Sequence, residues 1–160
     1  MLAFFAFHST RLGLDDGAPP NPCTHAGCVP VFYSGLNGSR CYRIPSIIQT
    51  HKGTLLAFAE NRNVSSCAPS ISSNEIGSLQ LRRSADNGAT WTAMQQVWRG
   101  NIDFYTAVHD DMAGTTFLML QEGASTNVFN STDFGASWSA PTPLFVPLPP
   151  GVTSIKPAVG

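Results

Sequence analysis

Charge is scarce in this sequence. Nine Lys and Arg and ten Asp and Glu among 160 residues leave a net charge of −1. There is no basic stripe and no run of one sign, so nucleic acid and anionic membrane surfaces are not partners this composition fits. No apolar run approaches the ~20 residues that a membrane-spanning helix requires. A sustained 3.6-residue apolar period is missing as well, which argues against a helical architecture. Cysteine is limited to Cys23, Cys28, Cys41 and Cys67, an even number that allows two disulfides in three pairings. "CTHAGC" at 23–28 has two thiols and His25 at metal-like spacing, but no second ligand pair follows, so a zinc site is the weaker reading.

Turn formers are plentiful instead, with 14 Gly and 12 Pro. Short β-like runs fall at 42–50, 54–60, 78–84, 90–99, 104–109, 115–121, 127–131 and 138–140. Turn signals such as "THKG", "ADNG", "DDMAG" and "TDFG" separate them. Eight short strands at close spacing predict an all-β protein, either a sandwich or a propeller. A repeat decides between the two. "SADNGATW" at 84–91 returns as "STDFGASW" at 131–138, a displacement of 47 residues that matches one four-stranded propeller blade.

The chemistry of the repeated octapeptide is structural. Asp86 and Asp133 are placed to accept backbone N–H bonds inside a tight turn. Gly88 and Gly135 supply the positive φ that such turns need. Trp91 and Trp138 open the outgoing strand and cover the turn. Calcium binding is disfavoured because each turn offers one carboxylate. "HDDMAG" at 109–114 raises metal ligation through His109, Asp110 and Asp111, but its place between two β runs favours a polar hairpin turn. "PTPLFVPLPPG" reads as a stiff connector between blades.

"CYRIPSII" at 41–48 carries a cation and a proline inside a β-branched strand. A buried cation must be paired, and a proline belongs at a strand start or an edge. Both fit a strand whose first residues point at an anion in a cleft.

The octapeptides resemble the Asp-boxes of sialidases, and the preceding strands narrow that resemblance over roughly residues 30–160. "YRIP" at 42–45 resembles the family's Phe/Tyr-Arg-Ile-Pro motif. "GTLLAFAENR" at 53–62 is similar to its second strand, and "LQLRRSADNGATW" to the third strand running into an Asp-box. The resemblance implies the N-terminal part of a six-bladed β-propeller, about two blades and the start of a third, after an N-terminal segment at 1–29. It implies an exo-α-sialidase, a glycoside hydrolase that releases terminal sialic acid from glycoproteins, glycolipids or oligosaccharides, with no cofactor. Arg43 matches the first of three arginines that clamp the sialic acid carboxylate. Arg62 matches a further arginine near the sugar ring. Guanidinium suits the task because its planar fork binds a carboxylate bidentately. Glu60 either orients an arginine or caps its strand.

Two departures matter for catalysis. The loop "NVSSCAPSISSNEIGS" at 63–78 has Ala68-Pro69 where relatives carry the aspartate acid/base, which leaves Glu75 as its single carboxylate and a substitute candidate. The family's tyrosine nucleophile, its glutamate partner and two clamp arginines belong to later blades, so this chain alone is expected to be inactive. The alternative is a non-catalytic propeller that binds a glycan or a protein. Sequons at Asn37, Asn63 and Asn130, with the cysteines, lean toward a secreted or lysosomal location. The start "MLAFFAFHSTRLG" has no basic n-region or clear cleavage site, so a packed or frayed terminus is favoured over a signal peptide.

Overall fold

The structure, a computed structural model, describes residues 23–62, 77–145, 147 and 150–152. Among these residues no α-helix forms; one 3-10 turn spans Leu36–Gly38. The strands are β1 (Tyr42–Gln49), β2 (Leu55–Asn61), β3 (Gly77–Ser84), β4 (Gln95–Gly100), β5 (Phe104–Asp110), β6 (Thr115–Glu122), β7 (Ser125–Ser131) and β8 (Thr142–Pro143). They make two four-stranded antiparallel sheets, each paired in chain order, β1-β2-β3-β4 and β5-β6-β7-β8. Each sheet has the size and connectivity of a propeller blade.

The run "LLAFAEN" in β2 is apolar without alternation because both its faces are covered. Leu56 and Phe58 join Leu79, Leu81, Ile102, Tyr105, Leu118, Leu120 and Phe129 in a core shared by the two sheets. Ala57 and Ala59 face the other way, against Val31, Phe32 and Tyr42. Arg82 fastens that outer layer. Its guanidinium donates to the carbonyls of Val31, Thr92 and Trp91 at 2.9, 2.8 and 3.3 Å. Burial pulls its pKa below the ordinary arginine value, while Tyr33 and Tyr42 oppose that.

The two octapeptides share one Ser–Asp–Gly–Thr/Ser hydrogen-bond network. Ser84 Oγ donates to Asp86 Oδ1 and accepts from Gly88 N, each at 2.8 Å. Thr90 closes the turn with its N–H on Asp86 Oδ1 at 2.8 Å and its hydroxyl on Oδ2 at 2.6 Å. Ser131, Asp133, Gly135 and Ser137 repeat the network at 2.9, 2.8, 2.8 and 2.6 Å. The backbone path is the same too: Asn87 and Phe134 both have φ 57, followed by Gly88 at φ 86 and Gly135 at φ 78. Asparagine visits this left-handed region readily; phenylalanine does so at a cost of about 1–2 kcal/mol.

The outgoing strands correct the sequence expectation. Strands were expected at 90–99 and 138–140, opened by the tryptophans, whereas β4 starts at Gln95 and β8 at Thr142. In both repeats the strand begins four residues beyond the Trp. The residue after each Trp meets the neighbouring strand with one backbone bond, Thr92 N–H to Arg83 O and Ser139 N–H to Asn130 O at 2.9 Å. Its hydroxyl instead of its carbonyl accepts the return bond, so the regular ladder starts later. Trp91 packs on the outer layer and bonds Gly88 O at 3.2 Å; Trp138 packs on the shared core, edge-on to Phe58.

"HDDMAG" forms the β5–β6 hairpin turn, with Asp110 Oδ1 accepting the N–H groups of Met112 and Ala113 at 2.9 and 3.0 Å. Cys23 and Cys28 are joined by a disulfide, which removes both thiolates that zinc would need. Cys41 is disulfide-bonded as well. Cys67, Asn63, Ala68-Pro69 and Glu75 lie outside the described residues.

Candidate functional site

Antiparallel pairing in chain order puts the β1 start, the β2 end and the β3 start at one end of the first sheet. The β1–β2 and β3–β4 turns lie at the other. Arg43, Glu60 and Arg62 therefore share the end opposite Asp86. The second sheet repeats the arrangement, with Asp103 before β5 at the site end and Asp133 at the far end.

A bulge decides where Arg43 points. Arg43 pairs with Glu60 and Ser46 with Phe58, so Ile44 and Pro45 together oppose the single residue Ala59. Side chains alternate along a strand, and residues an odd number apart would normally face opposite sides. The extra residue cancels that inversion, so Arg43 lies on the same face as Ser46, Ile48, Phe58 and Glu60, toward the second sheet. Pro45 fits because β1 is an edge strand and the bulge needs no ladder donor there. Ile44 takes φ 49, a left-handed conformation that a β-branched residue rarely adopts. Its carbonyl, released from the ladder, accepts the hydroxyl of Tyr105 in β5.

Glu60 is 2% exposed and Arg62 6%. Arg62 donates from Nε and Nη2 to Glu60 Oε2, at 2.8 and 2.5 Å. Of the two sequence readings for Glu60, orientation of an arginine is the one the structure shows. Burial pushes the Glu60 carboxyl above its ordinary value. The Arg62 hydrogen bond and charge pull against it, Arg43 adds a further pull, and Asp103 opposes them. Both arginines thus act on one buried carboxylate. Arg43, half-buried, and Arg62 are brought together at one end of the fold. Glu75 lies outside the described residues.

Two neighbours went unrecognised in the sequence. Asp103 is an exposed carboxylate at the same end, held by Gly123 N–H at 2.7 Å. Tyr105 is fully buried, and burial first, then the charge of Glu60, pushes its hydroxyl far above the ordinary tyrosine range. It keeps its proton and serves as a donor. An Asp-Phe-Tyr run at a strand start has no distinguishing pattern; the partner of Tyr105 is 61 residues away.

A cleft of about 460 Å³ opens elsewhere, lined by Gln95, Trp98, Phe129 and Trp138 among others and by none of the groups above. It contains no charged side chain, so its chemistry suits packing rather than anion binding.

No family model matches the chain. Among curated proteins it is similar to a sialidase of Bacteroides fragilis (strain YCH46), 35% identical over 85 residues, a match covering 53% of this chain and 15% of that protein. Among solved structures, the Hadza microbial sialidase Hz136 superposes with a TM-score of 0.56 at 21% identity, over 69% of this chain and 27% of that one. The chain spans a small part of each relative's length. Its sequence is related to a sialidase over about half its extent, and its two sheets have the fold of a fragment of a sialidase propeller.

Proposed function

We propose that these residues form the first two blades of a six-bladed Asp-box propeller and supply Arg43 and Arg62 to the carboxylate site of an exo-α-sialidase. The observation that carries this reading is the meeting of the two arginines around buried Glu60, at the end of the blades opposite the octapeptide turns. A carboxylate on Glu60 holds the Arg62 fork in one orientation, which lowers the entropy lost when that fork meets an anionic sugar. The bulge at Ile44-Pro45 turns Arg43 to the same side. Terminal sialic acid of glycoproteins, glycolipids or oligosaccharides is the anion proposed.

Hydrolysis needs more than this segment supplies. A clamp, an activated tyrosine and a proton donor contribute through their mutual geometry. The remaining clamp arginines and the Tyr/Glu pair would come from further blades, and Glu75 is the candidate donor in the loop after Arg62. A secreted or lysosomal setting suits the disulfide and the exposed sequon asparagines Asn37 and Asn130.

The test is a fluorogenic sialoside assay on this chain and on a polypeptide joining it to four completing blades. Turnover by the joined protein alone, lost in Arg43→Ala, is expected. Saturable turnover by the short chain would place the whole site within it. Binding of sialic acid without turnover by the joined protein would favour the glycan-binding module.

A further inference from the structure

At the far end of the blades, the turns of the two sheets meet through histidine. His51 sits in the β1–β2 turn, His109 near the end of β5, and Asp111 in the turn that follows. We propose that His51, His109 and Asp111 form a binding site for a divalent transition-metal ion of the Zn²⁺ class, linking the first blade to the second. This site is independent of the sialidase reading.

The ligand geometry comes first. His51 Nδ1 lies 2.8 Å from His109 Nε2, and Asp111 Oδ1 lies 3.8 Å from the same nitrogen. One ligand atom from each residue fits within a sphere of contacts no wider than 4.8 Å. The two rings are near parallel at 16°, with centroids 5.1 Å apart. The difference between that separation and the N–N distance is what the two ring radii account for, so the rings meet nitrogen to nitrogen rather than face to face. The two lone-pair directions therefore face each other along the N–N line. Two lone pairs held that close require a proton or a cation between them.

The hydrogen bond on the other side of His109 leaves Nε2 open as a ligand. Its Nδ1 lies 2.9 Å from the hydroxyl of Thr116, which is fully buried. An Nδ1–H donating to Thr116 Oγ1 leaves the Nε2 lone pair directed at His51. A hydrogen bond of this kind fixes ring orientation in metal-binding histidines. The His109 side chain is 2% exposed, so its nitrogen is held in place, while His51 and Asp111 lie on exposed turns that can adjust.

Loading the site requires the exposed His51 ring to swing off the N–N line toward the tetrahedral angle, a movement its turn position permits. Zn–N bonds of about 2.0–2.1 Å in tetrahedral geometry place ligand atoms roughly 3.3 Å apart. The His–His gap must open by about 0.5 Å and the His–Asp gap must close by about as much. Phe134 walls the site, with its ring centroid 5.5 Å from His51 and 6.4 Å from His109. Gly114 leaves space beside His51: an added Cβ would stand 3.5 Å from its Cε1. Two imidazole nitrogens and one carboxylate suit Zn²⁺, Cu²⁺ or Ni²⁺ over Ca²⁺ or Mg²⁺, and a fourth position stays open for water.

The experiment titrates the 160-residue chain with Zn²⁺ by calorimetry and with Co²⁺ by visible absorption. Expected are one equivalent bound, the intense d–d bands of tetrahedral Co²⁺, and a Tm that rises with Zn²⁺ concentration. His51→Gln and His109→Gln should abolish all three. Thr116→Val, which spares the ligands, should weaken Zn²⁺ binding by ~10–100-fold. His25→Gln is the control and should leave binding intact. His51 is exposed, so its variant reports on ligation without disturbing the core. Absence of binding to the wild-type chain, or binding and Co²⁺ bands unchanged in His51→Gln, would overturn the proposal.

Discussion

The hydroxyl of Tyr105, in the second sheet, donates to the carbonyl of Ile44, in the bulge of the first. That bond joins the two blades at the residue beside Arg43. It also satisfies a carbonyl that the left-handed turn at Ile44 removes from the β1–β2 ladder. The strand that carries Arg43 is thus set by a contact from its neighbour.

Tyr105→Phe keeps the ring in the core and removes the donor alone. Leaving the Ile44 carbonyl unsatisfied should destabilise the fold by about 1–3 kcal/mol. Urea unfolding of the two proteins measures it. An unchanged midpoint would mean the bulge holds without Tyr105.

The octapeptide turns should govern acid stability. Asp86 and Asp133 are each lowered from 3.8 to about 2, first by the hydroxyls of Thr90 and Ser137 and then by the backbone N–H groups of those residues. Depressed folded values mean that the unfolded chain binds protons first. The contribution is therefore present above 3.8 and is lost as pH falls toward 2. Thermal melts across that window should show Tm falling with pH, and an Asp86→Asn/Asp133→Asn double variant should show a flatter profile. Equal slopes would contradict the assignment.

The two turn glycines should differ in their tolerance of a methyl group. Both have positive φ, so alanine is strained at either. At Gly88 the nearest atom to a new Cβ would be Leu55 Cδ1 at 3.6 Å, an ordinary contact. At Gly135 it would meet Leu56 Cδ2 at 3.1 Å and Leu81 Cδ2 at 3.2 Å, both from fully buried side chains with little room to yield. Gly135→Ala should lower the urea midpoint more than Gly88→Ala. The reverse order would show that the core beneath the second turn relaxes freely.

Local chemistry explains what the sequence made legible. The octapeptides could be read because each closes its network within a few residues, so the shared Ser, Asp and Gly with a hydroxyl at Thr90 or Ser137 dictate the same turn at a 47-residue displacement. The blade strands followed from runs bounded by turn formers. The outgoing strands were misplaced because ladder pairing, not the Trp, sets where β4 and β8 begin. Arg43 and Arg62 were singled out through the resemblance of their strands. The bulge that aims Arg43 was not, since it depends on Ala59 across the ladder and on Tyr105 beyond it. His51 was overlooked for the same reason: it meets His109 across 58 residues of chain.

The most direct test of the proposed carboxylate site is an NMR titration that follows the Arg43 and Arg62 guanidinium Nε–H signals as sialic acid is added to this chain. Two arginines without the rest of a clamp should bind with a Kd of roughly millimolar or weaker. The account predicts saturable shifts of both signals with the free acid, none with its methyl ester, and loss of the Arg62 response in Arg43→Ala. Silent arginine signals, or equal shifts with the uncharged ester, would contradict it.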